Sequence, residues 1–172
     1  MGFLVPHKER GFLLVQVIVV AGIIALLASV IMFNVADSKK GSRDTQRVSN
    51  LESMQLALRL YKDAYGAYPG ATTTNAYDNG VPLGSGGILD TALSGYLTGI
   101  IKDPLNTGLN QYYYDSDYDC NGGPTTEVVL IALTMERPNK GNYTALCSTA
   151  PTFLNGSSGV QPTTNSYVLI LR

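Results

Sequence analysis

The sequence predicts an α+β fold in which one long amino-terminal helix packs on a small antiparallel sheet. Residues 12–33 (FLLVQVIVVAGIIALLASVIMF) carry no charge, and only Gln16, Gly22 and Ser29 interrupt the apolar run. After Gly70 the pattern changes to short stretches rich in Tyr, Val and Ile between turn residues, which is typical of strands. With 172 residues the chain suits one ordinary domain beside that run.

The uncharged run is long enough to cross a membrane. As a helix, residues 12–33 would span ~33 Å, against ~30 Å for the hydrocarbon core of a bilayer. A lone strand would leave its backbone unsatisfied in lipid, so we predict a membrane-spanning helix. The alternatives are a buried core helix and a cleaved secretory signal. Basic residues flank both ends of the run, so charge does not set its orientation.

Residues 34–66 are predicted to continue the helix as an amphipathic stalk. One apolar stripe follows the 3-4 spacing of a helix face, and its members are Leu51, Met54, Leu58, Tyr61 and Tyr65. Gly66 and Pro69 are helix-ending residues. The stripe predicts a face that packs on a sheet, with a seam to a partner helix as the alternative.

A basic cluster lies near the start of this stalk, at Lys39, Lys40, Arg43 and Arg47. We interpret it as a solvated collar that could touch anionic lipid, or as a surface that pairs with other subunits. Residues 34–66 hold six basic and four acidic groups, whereas residues 67–172 hold four basic and eight acidic groups. This polarity favours staggered, salt-sensitive packing of neighbouring copies.

The globular head is predicted over residues 67–172. Residues 70–87 have loop composition, and residues 88–97 suit a short helix. Four stretches rich in Tyr, Val or Ile are strand candidates, namely Gln111–Asp115, Glu127–Thr134, Tyr143–Cys147 and Ser166–Arg172. Both faces of the second candidate are apolar, which predicts a central strand with one face on the stalk helix.

The amino-terminal junction carries a family resemblance. Residues 7–11 read HKERG and are followed at once by Phe12, which opens the uncharged run. This junction resembles the class III signal of type IV pilins and type II secretion pseudopilins. The resemblance implies a leader over residues 1–11, and cleavage by a prepilin peptidase between Gly11 and Phe12 with methylation of the new amino terminus. Residues 43–69 and 96–106 also resemble the stalk and the following connection of these proteins.

The resemblance implies a bacterial structural subunit of a type IV pilus or a type II secretion pseudopilus. Its partners would be homologous subunits, the prepilin peptidase, and an inner-membrane assembly platform with its ATPase motor. The chain would cross the inner membrane once, with a cytoplasmic amino terminus and an extracytoplasmic head, before it enters the filament. The segment implied in assembly consists of Phe12, Leu13, Leu14, Val15 and Gln16.

Gln16 departs from the family pattern, which has Glu at the fifth position after the cleavage point. That carboxylate is thought to pair with the amino terminus of a neighbouring subunit. A glutamine amide can accept a hydrogen bond from an ammonium group but cannot neutralise it. We therefore expect either a minor or tip subunit, or a filament in which one amide suffices.

Two further sites are predicted in the head. Cys120 and Cys147 would both lie outside the cytoplasm, so we expect either a disulfide or two buried thiols. Oxygen-bearing side chains alternate in DSDYDCNG, and they belong to Asp115, Asp117, Asp119 and Asn121. Major pseudopilins carry calcium in a late loop of the head, so this stretch is a candidate calcium site. Cys120 and Thr126 break the EF-hand pattern, and the alternative is a solvated acidic turn.

The composition argues against other function classes. A formal charge of −1 and an acidic head argue against a nucleic-acid partner. The one histidine, His7, lies in the predicted leader, which argues against histidine-dependent catalysis. Gly84–Gly87 lacks the Lys-Ser/Thr of a phosphate-binding loop. We predict no enzyme and no cofactor beyond the candidate calcium. The alternatives are a tip adhesin, a DNA-uptake pilin and a membrane-anchored domain that does not polymerise.

Overall fold

The computed structural model of the chain describes residues 9–70, 81–108, 110–118, 127–143 and 162–172. These residues belong to two compact units, Met1–Lys39 and Lys40–Arg172. The elements in chain order are α1 (Glu9–Tyr65), β1 (Val81–Leu83), α2 (Ile88–Ala92), β2 (Tyr112–Tyr118), β3 (Glu127–Ala132) and β4 (Tyr167–Leu171). The predicted α+β fold, with a long helix and a small antiparallel sheet, is confirmed.

Helix α1 ends where its sequence predicts a stop. Tyr65 is its last residue, and Gly66 follows with a φ of 81°, a left-handed conformation that glycine adopts without steric cost. The Gly66 N–H donates to the carbonyl of Lys62 at 2.7 Å, which satisfies one of the last helical carbonyls. The chain therefore leaves the helix through a glycine cap.

The four strands form one antiparallel sheet in the order β1-β2-β3-β4. β3 is central, as predicted, with Leu130 opposite Tyr114 on one side and Leu169 on the other. Alternate residues of β3 enter different apolar clusters: Leu130 packs in the same cluster as Leu51 and Met54 of α1, whereas Ile131 packs on the other face of the sheet. Both faces of β3 are therefore buried.

The apolar stripe of α1 packs as predicted over most of its length. Leu51, Met54 and Leu58 are fully buried, and Tyr61 is half-buried. Tyr65 is the exception, because its ring is 68% exposed and stacks on the ring of Tyr61 with 4.4 Å between centroids. The stripe loses contact with the core at the last turn of the helix.

The expected loop over residues 70–87 contains a short strand. β1 pairs with β2 at the edge of the sheet, with Pro82 opposite Tyr113. Proline lacks the N–H that an interior strand needs, but an edge strand requires hydrogen bonds on one side only. The proline and the glycines around it therefore predict a loop, although pairing with β2 makes this segment a strand.

The other predicted elements shift at their ends. The expected helix over residues 88–97 is α2, which stops at Ala92, and the first strand candidate extends to Tyr118 as β2. The third candidate, Tyr143–Cys147, lies outside the described residues except for Tyr143, which is buried in the second apolar cluster.

Candidate functional site

The uncharged run forms an apolar helix surface in the first unit. Every described side chain from Gly11 to Met32 is exposed, including Phe12 at 75%. Among the described residues, one helix is long and apolar enough to cross a membrane, and it contains this run. So much exposed apolar surface would be unfavourable in water, which indicates that lipid or another chain covers it.

The predicted processing and assembly residues lie together on this surface. Gly11 and Phe12 fall within α1, and a Cβ built on Gly11 would have no neighbour within 4 Å. Leu13, Leu14 and Val15 are exposed as well. Gln16 is exposed beside Leu13 and other apolar side chains, so its amide is a polar group on an otherwise apolar surface.

A second constellation, which we call the arginine cluster, lies inside the second unit. Its members are Arg43, Asp44, Arg47, Asp103 and Glu136. Arg47 donates to both oxygens of Asp103, with the Nε–Oδ2 distance 2.7 Å and the Nη2–Oδ1 distance 3.1 Å. Its Nη1 donates to Asp44 at 2.8 Å and to Glu136 at 3.0 Å. Arg43 binds Glu136 through two parallel hydrogen bonds of 2.6 and 2.5 Å.

Backbone groups complete this network. The Asp44 carboxylate accepts the N–H groups of Glu136 and Arg137 at 2.8 and 2.9 Å. The Asp103 carboxylate accepts the N–H of Leu105 at 2.9 Å and so closes the turn after it. The cluster therefore fastens α1 to the turn after Asp103 and to the segment after β3.

Because Arg47 is buried, its charge must be paired within the cluster. The Arg47 side chain has no exposed surface, and an unpaired charge there would be very costly. Burial by itself lowers the pKa of Arg47, but the bonds to Asp103, Asp44 and Glu136 outweigh it and raise that pKa above its usual value. The hydrogen bonds from Arg43, followed by those from Arg47, lower the pKa of Glu136 to about 2. Arg47 and Glu136 therefore both stay charged at neutral pH.

The interpretation of Arg43 and Arg47 as part of a solvated collar is wrong. Both arginines form salt bridges with carboxylates of the same unit. Asp103 and Glu136, which nothing in the sequence places together, meet on Arg47. One signal could have revealed this, because the 3-4 spacing of the apolar stripe extends backwards from Leu51 through Arg47 to Asp44.

Replacement of Glu136 by Gln is expected to remove part of the acid sensitivity of the fold. A lowered pKa means that ionised Glu136 stabilises the folded state above about pH 4.5, and this contribution is lost as the pH falls towards 2. Between pH 5 and 2.5, wild type should lose about 1–2 kcal/mol more stability than Glu136→Gln, allowing for solvent screening. Urea unfolding at each pH measures this. Glu52→Gln, at an exposed position of α1, is the control, and equal acid sensitivity of all three proteins would contradict the expectation.

The glycine-rich segment Gly84–Gly87 has a structural role. Its N–H groups point at the carboxylate of Asp90: Gly84 donates at 3.1 and 3.0 Å to the two oxygens, Gly86 at 2.8 Å and Gly87 at 3.2 Å. An internal carboxylate thus fills the place that a bound phosphate takes in a phosphate-binding loop. This agrees with the missing lysine in the sequence.

The disulfide and calcium predictions fall mainly outside the described residues. Cys120, Cys147, Asp119 and Asn121 all lie there. Asp115 is buried within β2, which also contains Asp117. Within the described residues no group of three or more His, Cys, Asp or Glu could hold a metal ion. Both sites stay predictions.

Comparison with known proteins points to one system. The chain is 33% identical over 63 residues to type II secretion system core protein G of Pectobacterium carotovorum subsp. carotovorum, across 37% of this chain and 40% of that protein. It is 37% identical over 68 residues to the core protein G of Escherichia coli (strain K12), across 40% of this chain and 45% of that protein. The chain thus matches less than half the length of these curated relatives. No family model matches the chain, and no solved structure matches it. The two relatives confirm the resemblance to pseudopilins that the amino-terminal junction indicates.

Proposed function

We propose that this chain is a pilin-like structural subunit of a type II secretion pseudopilus. It is anchored in the inner membrane through residues 12–33 and assembles with homologous subunits through the same surface. The exposed, uncharged face of α1 carries this proposal, because it needs a covering of lipid before assembly and of other subunits afterwards. The similarity to two secretion core proteins favours the pseudopilus over a type IV pilus.

Processing and assembly require partners. In this proposal a prepilin peptidase cuts between Gly11 and Phe12 and methylates Phe12, and an inner-membrane platform with an ATPase motor drives assembly. The subunit itself has a mechanical rather than a catalytic role, with its head outside the cytoplasm. The open surroundings of Gly11 support access by a peptidase.

Co-expression with a prepilin peptidase should yield a mature chain that begins at Phe12 and carries one methyl group. Intact mass spectrometry measures this directly. Gly11→Val is expected to stay uncut because the added side chain obstructs the scissile bond. Gly22→Val is the matched control, since Gly22 is equally open on the same helix, and it should be cut as in wild type. A wild-type chain that keeps residues 1–11 would contradict the proposal.

Gln16 supports a minor or tip position within the filament. An exposed amide on the apolar surface cannot neutralise the amino terminus of a neighbouring subunit, whereas a carboxylate can. Gln16→Glu should therefore enter the filament shaft, and co-expression with a major subunit should give longer filaments with more copies of the variant. Electron microscopy with quantitative immunolabelling measures both. Unchanged length and copy number would contradict a tip role defined by Gln16.

A further inference from the structure

Two lysines lie exposed on segments that meet near the start of the second unit, and we call them the basic rim: Lys40 and Lys140. Lys40 directly precedes Gly41, which lines the same cleft as Lys140. The cleft thus brings the segments of two lysines together that are 100 residues apart in the sequence.

Close packing holds one side of this rim in place. The guanidinium of Arg137 lies directly against Gly41, so that an added Cβ would stand 2.5 Å from its Cζ. The backbone N–H of Arg137 also donates to the carboxylate of Asp44, which fixes the segment that leads to Lys140. The segment that carries Lys140 is therefore held against the part of α1 that follows Lys40.

The acidic residues near these lysines do not neutralise the rim surface. Asp44 and Asp103 are 4% exposed, and both accept hydrogen bonds from Arg47. Glu136 is held by Arg43 and Arg47. These three carboxylates are therefore bound to arginines of the same unit, while Lys40 and Lys140 are exposed.

The position of the rim in the chain indicates its partner. Lys40 follows the end of the uncharged run at Phe33 by seven residues, so it lies close in sequence to the proposed membrane span. In the short connection between them, Asp37 and Lys39 cancel each other in formal charge. Lysines next to a membrane-spanning helix attract anionic lipids, and this attraction falls off within a Debye length of about 8–10 Å.

We propose that the basic rim binds the phosphate head groups of anionic phospholipids and so holds the head against the membrane surface before assembly. This inference rests on the proposed membrane anchoring of the chain. A lipid surface suits the rim better than the acidic head of a second copy. Of the eight acidic groups in residues 67–172, Asp90, Asp103 and Glu136 are satisfied within their own chain, which leaves a neighbouring head less exposed acid to offer.

Native mass spectrometry of the full chain in neutral detergent tests the proposal. Phosphatidylglycerol or phosphatidylcholine is added, and bound lipid is counted for three proteins. These are wild type, the rim variant Lys40→Gln/Lys140→Gln, and the control Arg59→Gln/Lys62→Gln, which removes two cations further along α1. Wild type and control should prefer phosphatidylglycerol by at least about tenfold, and the rim variant should lose most of this preference. Raising the salt from 0.15 to 0.5 M should weaken the preference in the first two proteins.

Several outcomes would overturn the proposal. An unchanged preference in the rim variant would show that other groups bind the lipid. Displacement of the lipid by millimolar inorganic phosphate would indicate a site for small anions. Salt-sensitive dimers that the rim variant abolishes, without lipid preference, would assign the rim to a second copy. The assay requires neither leader cleavage nor filaments, so a failure of the proposed function in those experiments is distinguishable from a failure here.

Discussion

Replacement of Arg47 by Met is expected to lower the free energy of unfolding by about 3–5 kcal/mol, because three carboxylates lose a shared, fully buried cation. Methionine fills a similar volume, so the loss reflects charge more than a cavity. Asp103 loses the most hydrogen bonds, since both of its oxygens accept from Arg47. Urea unfolding of the full chain in neutral detergent measures the change, with near-UV circular dichroism of the eleven tyrosines as the signal.

Two further variants make this result interpretable. Arg59→Met removes an exposed cation from the same helix and should change stability by less than about 0.5 kcal/mol. Arg47→Met/Asp103→Asn also removes one of the three carboxylate charges that Arg47→Met leaves without this partner, and it should recover part of the loss. Equal stability of Arg47→Met and Arg59→Met would show that the arginine cluster contributes little to the fold.

Gly84→Ala should be the next most damaging change, at about 2–4 kcal/mol. Gly84 has a φ of 86°, which an alanine adopts only with strain. Its added Cβ would also stand 2.7 Å from the carbonyl oxygen of Ile101 and 3.2 Å from the Cα of Lys102. Both are backbone atoms, so the chain itself must move. Thermal unfolding in detergent measures the loss.

The control for this change is Gly95→Ala. No atom lies within 4 Å of a Cβ at Gly95, so alanine should be tolerated within about 0.5 kcal/mol. Because the Cβ of an alanine at position 84 would press on the residues just before Asp103, Gly84→Ala and Arg47→Met should combine less than additively. Full additivity would show that the two sites are independent.

The frame of the fold follows from local patterns in the sequence. β3 reads as a central strand because apolar residues occupy both of its faces, and Leu51, Met54 and Leu58 mark the inward side of α1 by their spacing. These signals are strong because burial of apolar surface dominates folding. β1 gives no such signal, since a three-residue edge strand that contains Pro82 owes its existence to pairing with β2.

The candidate site divides in the same way. The apolar surface around Phe12 and Gln16 can be predicted from the sequence because its residues are consecutive. The arginine cluster cannot be predicted in this way, because Arg47 binds partners 56 and 89 positions away. A charged residue in a helix is also usually solvated. The 3-4 spacing that continues back from Leu51 marks Arg47 as inward, but only the folded chain shows which carboxylates it meets.

The proline in β1 also bears on how heads behave when they are crowded together. A sheet edge can recruit a strand from another molecule through its free backbone groups, which leads to aggregation. β1 offers only three residues, and Pro82 has no N–H to donate to an incoming strand. That edge is therefore a poor template for strand addition. In the proposed filament, where heads would be held at high local concentration, this edge should keep neighbouring sheets from merging along β1.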